Sequence, residues 1–452
     1  MHRRSLWLGI ALSIALVASA GIIFEPNGFR APDAPMPGIA SAANDSAVPR
    51  NSGDPVRLSV AATRVRDEVE SMLAAAVAAT EELTGAVDSE AAPKTKKSKR
   101  ARKRQKRDAK PSTKRRLKLV TTITGGLTPK SIVSAQNGKV FAMNMMYNHT
   151  ITVFNRRYKR AKVIDDSVDL SKFGYKQYDH KVRGAPVEAA LDPKRKHMYV
   201  SNYSMYGPGF RDQGFDLCKA SDKIDRSFVY QISTRTLRKT DAIEVGEVPK
   251  YLAVTPNGRY LLVSNWCSWD ISVVDLKKGK ETRRIDAGVA PRGIAFSPNS
   301  KTAYVTLVGE DKILVIDMRT FKVKREISGI GERPRHLVMS PGGRYLYITV
   351  QGEDKKRAVD GRILKYDTHK RKIVARSEWL TEPRTTVMSD DGKSIYVVDY
   401  YPGTLVKLRA SDLKELQTKY LGFHPIGVTY DDASDKLWVS GYGGSVWVLK
   451  DR

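Results

Sequence analysis

From residue 129 onward, seven prolines each precede a short apolar run, and the residue after the proline is basic in five cases. The prolines are Pro129, Pro186, Pro249, Pro291, Pro334, Pro383 and Pro425. The basic residues are Lys130, Lys250, Arg292, Arg335 and Arg384, and Val187 and Ile426 fill the other two positions. Cationic groups that recur at one position of a repeat can bind an anion together.

A second recurring position, after the second apolar run of each copy, is aromatic in four of the seven copies. Its aromatic residues are Tyr203, Trp266, Tyr400 and Tyr442, and Trp269 and Tyr401 lie beside them. Aromatic rings interleaved with cations hold single-stranded nucleic acid without reading its sequence. The alternative is structural, because the rings can pack between neighbouring repeats and the cations can hydrogen-bond neighbouring loops.

The spacing of the prolines indicates the elements that position these residues. Successive prolines are 57, 63, 42, 43, 49 and 42 residues apart. In a clear copy, an apolar run (252–254) precedes a turn (256–258), a strand rich in apolar residues (260–264), a third strand (271–275) and a more polar fourth (282–285). Four short strands repeated about every 42 residues are typical of a β-propeller.

The ends of the chain predict how the ring closes. The last copy stops after its third strand, at 446–449, and residues 117–124 form a strand that has no other partner. An N-terminal strand that completes the last blade pairs two otherwise exposed edges. We therefore predict an all-β, seven-bladed propeller over residues 117–452.

The strand order places both recurring positions on one face, because the first strand of a blade starts where the second ends. The predicted ligand-binding face comprises Lys130, Lys250, Arg292, Arg335, Arg384, Tyr203, Trp266, Trp269, Tyr400, Tyr401 and Tyr442. Asp275, Asp317 and Asp367 recur at the ends of third strands, on the opposite face, where we expect them to cap turns.

The second strands carry the motif Tyr-Val-(Ser/Thr)-Asn or variants of it, at 199–202, 262–265, 304–306, 396–398 and 438–440. Over roughly residues 117–452 the chain resembles the YVTN-type β-propeller family, which includes YncE-like periplasmic proteins. The resemblance implies an exported, soluble and mostly non-enzymatic propeller, some of whose relatives bind nucleic acid or components of the cell envelope.

The first 116 residues are predicted to form four segments. Residues 1–24 contain an apolar run of 19 residues and form either a cleaved signal peptide or an uncleaved signal anchor. Basic residues ahead of that run place the rest of the chain outside the cytoplasm. Residues 25–57 are predicted to be a disordered linker, 58–90 an amphipathic helix, and 91–116 a basic low-complexity tether.

The formal net charge is +29, and the folded part carries much of it. Residues 94–118 hold 15 basic residues and one acid, residues 1–93 have a net charge of −4, and the remaining residues have a net charge of +19. A basic domain with a basic tether favours polyanions as partners, either nucleic acid or an anionic wall polymer. An exposed basic surface with no specific partner is the alternative.

The chain has two cysteines, Cys218 in a long insertion of the second blade and Cys267 in the matching loop of the third. An even pair in an exported protein predicts a disulfide, and neighbouring blades would place the two loops side by side.

Catalytic and metal-binding motifs are sparse. No His-Glu-x-x-His, Gly-x-Ser-x-Gly, Walker or Cys-x-x-Cys-His motif occurs, so we expect no metal and no cofactor. Glu188 and His336 lie near the predicted axis and leave a lactonase- or lyase-type enzyme as one alternative. The main prediction is a non-catalytic, monomeric, envelope-associated propeller that binds an anionic polymer or an envelope protein, and a protein–protein scaffold is the other alternative.

Overall fold

The computed structural model of the protein describes residues 110–353 and 360–452. These residues form seven β-sheets, six with four strands and one with five. The predicted segments 1–24, 25–57 and 58–90, and the tether as far as residue 109, lie outside the described residues. Within the described ranges no helix is long and apolar enough to cross a membrane.

Each sheet is one blade; in five blades the four strands follow chain order from the axis outward, blade 2 has an extra strand beside its axial strand, and blade 7 ends with the N-terminal strand. Blade 1 contains β2 (Ser131–Ser134), β3 (Val140–Asn144), β4 (Thr150–Phe154) and β5 (Arg160–Asp165). Blade 2 contains β6 (Ser167–Asp169), β7 (Lys181–Leu191), β8 (His197–Tyr206), β9 (Phe228–Ser233) and β10 (Lys239–Glu244). Blade 3 contains β11 (Pro249–Val254), β12 (Tyr260–Asn265), β13 (Asp270–Asp275) and β14 (Lys280–Asp286).

The remaining blades follow the same plan. Blade 4 contains β15 (Pro291–Phe296), β16 (Thr302–Leu307), β17 (Lys312–Asp317) and β18 (Lys322–Ile327). Blade 5 contains β19 (Pro334–Met339), β20 (Tyr345–Val350), β21 (Arg362–Asp367) and β22 (Lys372–Arg376). Blade 6 contains β23 (Pro383–Met388), β24 (Ser394–Asp399), β25 (Thr404–Arg409) and β26 (Glu415–Tyr420). Blade 7 contains β27 (Pro425–Asp431), β28 (Lys436–Gly441), β29 (Ser445–Asp451) and β1 (Leu117–Ile123). Short 3-10 helices span Ser112–Lys114 and Leu170–Phe173.

The predicted seven-bladed propeller is confirmed. The first repeat strands contact one another in sequence, β2 with β7, β7 with β11, and onward through β15, β19, β23 and β27 back to β2. Strand β1 pairs antiparallel with β29, so that Leu117 lies opposite Asp451 and Ile123 opposite Val446. The N-terminal strand therefore closes the last blade, as its sequence predicts.

The folded unit begins before β1. Ser112 is fully buried, and its hydroxyl donates to Asp391 Oδ1 at 2.6 Å. Its carbonyl accepts a 2.7 Å hydrogen bond from Lys407 Nζ. The last residues of the predicted tether, from 112 to 116, thus pack on blades 6 and 7.

Sequence patterning explains the blades locally. Inner and middle strands are apolar and buried between blades, whereas the outer strand β14 is mostly exposed and polar. The motif residue Asn265 is buried, and its Nδ2 donates to Asp270 Oδ1 at 2.6 Å and Ser272 Oγ at 2.8 Å, which ties β12 to β13. Gly258 has φ +73°, as the predicted tight turn requires. Asp275 accepts hydrogen bonds from the backbone amides of Lys277 and Lys278, the predicted capping role.

Candidate anion-binding site

Five basic side chains meet at the axis of the propeller, because each follows the proline that opens a first strand. We call this set the axial cation cluster; its members are Lys130, Lys250, Arg292, Arg335 and Arg384. The first four are at most 9% exposed, and the side chain of Arg384 is 17% exposed. The sequence predicts that these residues share a face, and the structure buries most of their surface rather than leaving them open to solvent.

Among residues 110–353 and 360–452, three carboxylates pair with the cluster. Arg292 Nη2 lies 3.6 Å from Glu188 Oε1. Arg384 forms an ion pair with Glu382, and Lys250 forms one with Asp216. Burial of charges is costly unless they are paired and hydrogen-bonded, so these carboxylates offset part of the cost of collecting five cations.

Gln351 links two of the arginines through its amide group. Its Oε1 accepts a 2.6 Å hydrogen bond from Arg335 Nη1, and its Nε2 donates to Glu382 Oε1 at 3.0 Å. Because Glu382 also pairs with Arg384, one continuous polar chain connects blades 5 and 6. This chain fixes the guanidinium groups but brings Arg335 a neutral partner rather than a charged one.

Several polar atoms of the site have no hydrogen-bond partner among the described residues. They include Arg292 Nη1 and Arg384 Nε, both buried, and His336 Nδ1. An unsatisfied buried donor costs about 1–3 kcal/mol, and more when it is charged. The five basic side chains also outnumber the three carboxylates by two, and this imbalance would favour an anion.

Burial, and after it the charges of neighbouring cations, lower the pKa values of the cluster. Burial, with the neighbouring arginines second, lowers the pKa of Lys130 well below its ordinary value despite the opposing effect of Glu188. Burial lowers the pKa of Lys250 to about 8, although Asp216 opposes the shift. Burial and the charges of Arg384 and Arg292 lower the pKa of Arg335, and burial lowers that of Arg384 to about 10. An incoming anion would reverse these shifts.

The aromatic residues of the predicted ligand-binding face divide into two groups. In the first, Lys250 Nζ lies 4.0 Å from the ring centroid of Trp266 and 5.3 Å from that of Tyr203. The Tyr203 hydroxyl donates to Asp216 Oδ1 at 3.0 Å. The cation, the carboxylate and both rings therefore form one contiguous patch over blades 2 and 3.

The second aromatic group covers blades 6 and 7. The Arg384 guanidinium lies 4.8 Å from the Tyr400 ring, and Lys130 Nζ lies 5.7 Å from the Tyr442 ring. Tyr400 packs against Tyr401 and Tyr442 with centroids 5.1 and 6.0 Å apart. All of these rings are half-buried and keep part of their surface open. We call the two aromatic groups, which flank the axial cation cluster, the aromatic walls.

Trp269 does not join either group. Its buried Nε1 has no partner among the described residues, and it contacts no other aromatic or basic member of the predicted face through its ring. Its backbone has φ +56°, and its carbonyl accepts hydrogen bonds from the amides of Ala287 and Gly288. These bonds give Trp269 a role in the turn of blade 3.

Sequence reasoning missed Asp216 and Glu382 as members of the site. Glu382 directly precedes a repeat proline, which is a positional signal that could have identified it. Asp216 lies in the non-repeating insertion, 34 residues from Lys250, and has no such signal. Its position follows from the disulfide two residues away.

The predicted disulfide between Cys218 and Cys267 is confirmed. Their Cα atoms are 5.4 Å apart, and the bridge links residues 49 positions apart. Structural disulfides are typical of oxidising, extracytoplasmic compartments. The bridge holds the insertion of blade 2 against the loop of blade 3, beside Trp266.

Comparison with known proteins supports the architecture. The profile of the Cytochrome D1 heme domain family matches residues 299–420, from blade 4 to blade 6. The hydrazine synthase of Kuenenia stuttgartiensis superposes with a TM-score of 0.57 at 19% identity, over 73% of this chain and 98% of that chain. At that identity the likeness shows the fold alone. No curated protein matches the chain, and the YVTN-type resemblance stays a prediction.

The name of the matching family includes a haem, and His336 and His424 are the histidines that lie beside the axial cation cluster and could be considered as its ligands. His336 Nε2 lies 3.0 Å from the Tyr251 hydroxyl, and burial lowers the pKa of His336 to about 3. The His424 ring stacks on Tyr400 with centroids 4.1 Å apart and contacts Phe423 on another side. His336 is buried with Tyr251 at its Nε2, and the His424 ring packs against Tyr400 and Phe423, so we assign neither residue as a haem ligand and derive no haem chemistry.

Proposed function

We propose that the protein is an extracytoplasmic, non-catalytic propeller that binds an anionic polymer, and that single-stranded nucleic acid is its best-fitting ligand class. The observation that carries the proposal is Arg292, a buried guanidinium with one nitrogen unpartnered in a cluster that has two excess cations. An anionic group bound there would supply the missing hydrogen-bond acceptor and offset the excess charge.

The aromatic walls favour nucleic acid over a wall polymer. Trp266, Tyr203 and Tyr400 lie within cation–π distance of the cluster and keep part of their surface open. A base stacked on an aromatic side chain contributes about 1–3 kcal/mol. A polymer of sugars and phosphates has no flat bases and would gain only the electrostatic part of this energy.

The acid–base groups favour binding over catalysis. Glu188 pairs with Arg292, and His336 pairs with the Tyr251 hydroxyl. A general base must be within hydrogen-bond reach of the proton it removes and have a pKa near the working pH. The pKa of about 3 keeps the His336 imidazole neutral at pH 7, and Tyr251 occupies its Nε2.

The test is binding of fluorescein-labelled oligothymidylate, about twelve nucleotides long, to the full chain across a series of salt concentrations. We expect affinity to fall steeply with salt, because each contacted phosphate releases counterions. Arg292→Ala should weaken binding at least about tenfold and flatten the salt dependence.

Arg319→Ala is the matched control, because Arg319 is exposed at the turn after β17, on the opposite face. It should leave both the affinity and the salt dependence near those of the wild type. Binding that is absent at low salt, or equal in the Arg292 and Arg319 variants, would refute the role of the axial cluster. Tight binding of a teichoic-type wall polymer, with no binding of the oligonucleotide, would instead favour a wall polymer as the ligand.

A further inference from the structure

The insertion of blade 2 places a carboxylate of the protein against the axial cation cluster. Asp216 pairs with Lys250 Nζ and accepts a 3.0 Å hydrogen bond from the Tyr203 hydroxyl. The indole Nε1 of Trp266 donates to the Asp216 carbonyl at 2.9 Å. One residue thus contacts a cation, a hydroxyl donor and an indole donor of the proposed ligand site.

We infer that Asp216 is a built-in competitor, whose carboxylate fills an anion subsite formed by Lys250 and Tyr203 and is displaced by an anionic group of the ligand. This inference rests on the proposed function and adds the position of the subsite and the residue that limits its affinity. The group that displaces it is a phosphate of the bound strand.

The contrast in exposure between the two partners supports displacement. The Lys250 side chain is 8% exposed, whereas that of Asp216 is 73% exposed. The cation belongs to the fixed wall, but the carboxylate reaches it from the solvent side. An exposed carboxylate is already largely hydrated, so its release costs little, whereas the buried ammonium of Lys250 is stabilised by an anionic partner.

The attachment of the insertion explains why Asp216 stays near the site. The Cys218–Cys267 disulfide lies two residues from Asp216 and one residue from Trp266. Cys267 Sγ also contacts the Phe215 carbonyl at 3.5 Å. The bridge therefore gives the carboxylate a high local concentration at the subsite, while the side chain itself remains able to rotate away.

The electrostatics agree with this arrangement. The ion pair with Lys250 and the hydrogen bonds to it and to Tyr203 hold the pKa of Asp216 below its ordinary value. Tyr203 and Lys250 therefore both favour an ionised acceptor at this point. A phosphate oxygen is also an ionised acceptor and can bind the same two donors, Lys250 and Tyr203.

The experiment compares Asp216→Ala with Asp222→Ala, a control in the same insertion whose carboxylate accepts from the Lys219 amide. Two quantities are measured on the full chain: the affinity for the labelled oligothymidylate and the melting temperature without and with the oligonucleotide. We expect Asp216→Ala to bind about fivefold more tightly, because its ligand no longer displaces a like charge. It should also melt at a lower temperature without ligand and show a larger ligand-induced rise.

Asp222→Ala should keep the wild-type affinity. A lower melting temperature for Asp216→Ala with unchanged or weaker binding would assign Asp216 a purely structural role and overturn the inference, provided that Arg292→Ala still loses affinity. If neither Asp216→Ala nor Arg292→Ala changes binding, the proposed function itself fails. The two failures are therefore distinguishable in one set of measurements.

Discussion

Arg292 Nη2 lies 3.6 Å from Glu188 Oε1, while Nη1 of the same guanidinium has no hydrogen-bond partner among the described residues. Glu188 therefore satisfies only one side of the arginine. Burial raises the pKa of Glu188 despite the opposing charges of Lys130 and Arg292, because it makes the ionised carboxylate less stable. This half-satisfied pair is the centre of the proposed site.

Glu188→Gln should strengthen anion binding, because it removes a negative charge and keeps the shape of the side chain. We expect an increase of about fivefold in affinity for the labelled oligonucleotide, opposite in sign to the effect of Arg292→Ala. Fluorescence anisotropy at one fixed salt concentration measures both. Weaker binding by Glu188→Gln would mean that Glu188 positions Arg292 for the ligand rather than competing with it.

The pH dependence of binding should reflect Lys250. Its pKa is lowered to about 8, so the ammonium is charged at pH 7 and largely neutral one unit above the pKa. Binding of an anion favours the charged form, and the affinity should therefore fall as the pH rises from 7 to 9. Calorimetry in two buffers of different ionisation enthalpy should detect proton uptake on binding near pH 8.

Lys250→Met should remove much of this pH dependence between 7 and 9 and leave the salt dependence that comes from the arginines. Lys277→Met, at an exposed turn on the opposite face, is the control and should keep the wild-type profile. A pH profile that is the same in wild type and Lys250→Met would assign the titration to another group.

The repeat made the fold accessible from sequence, because each copy carries its own turn residues and apolar runs in one order. The burial of the axial cation cluster was harder to predict from the sequence. Repeat spacing tells which residues share a face, but how deeply Lys130 and Arg335 sit depends on the width of the axis, which seven packed blades determine together. Asp216 escaped prediction because an insertion has no repeat to align with.

The residue at which the folded unit starts could also not be predicted from the sequence. Residues 112–116 read as part of a basic run, and only the tertiary structure brings the Ser112 carbonyl to Lys407. A deletion that tests the tether should therefore end at residue 109, outside the packed segment. Composition identified the charge of this region but not the few residues that dock.

Replacement of the aromatic walls should distinguish single strands from duplex. Trp266→Ala and Tyr400→Ala should each weaken binding of the single strand more than binding of a duplex of the same sequence, whose bases are already stacked. Stacking predicts a loss of about 1–3 kcal/mol for each ring. Competition between the two labelled DNAs measures the difference. Equal losses for both would reduce the rings to a packing role.

Removal of the disulfide should affect the insertion more than the ring. A bridge that closes a loop of about 50 residues is worth roughly 4 kcal/mol by chain entropy and usually less in practice. We expect the double variant Cys218→Ser/Cys267→Ser to melt at a lower temperature and to be cleaved within 205–225 by a protease. Peptide mapping without reductant checks the bond directly, and two free thiols in the wild type would contradict the prediction.

The closure of the ring should depend on a buried ion pair between blade 6 and the last strand. Lys407 Nζ lies 2.6 Å from Asp451 Oδ1, and both side chains are fully buried. The ammonium also donates to the carbonyls of Ser112 at 2.7 Å and Arg115 at 3.0 Å, and the Tyr396 hydroxyl donates to Asp451. One lysine thus joins β25, β29 and the segment that precedes β1.

Lys407→Met should destabilise the propeller by about 3–5 kcal/mol, because it leaves the Asp451 carboxylate buried without its cation. The free energy of unfolding in denaturant measures the loss, and Lys301→Met at an exposed turn is the control. The double variant Lys407→Met/Asp451→Asn should recover part of the stability, since the uncompensated charge is then gone. If the double variant were no more stable than Lys407→Met, the hydrogen bonds to the segment before β1, rather than the ion pair, would hold the ring closed.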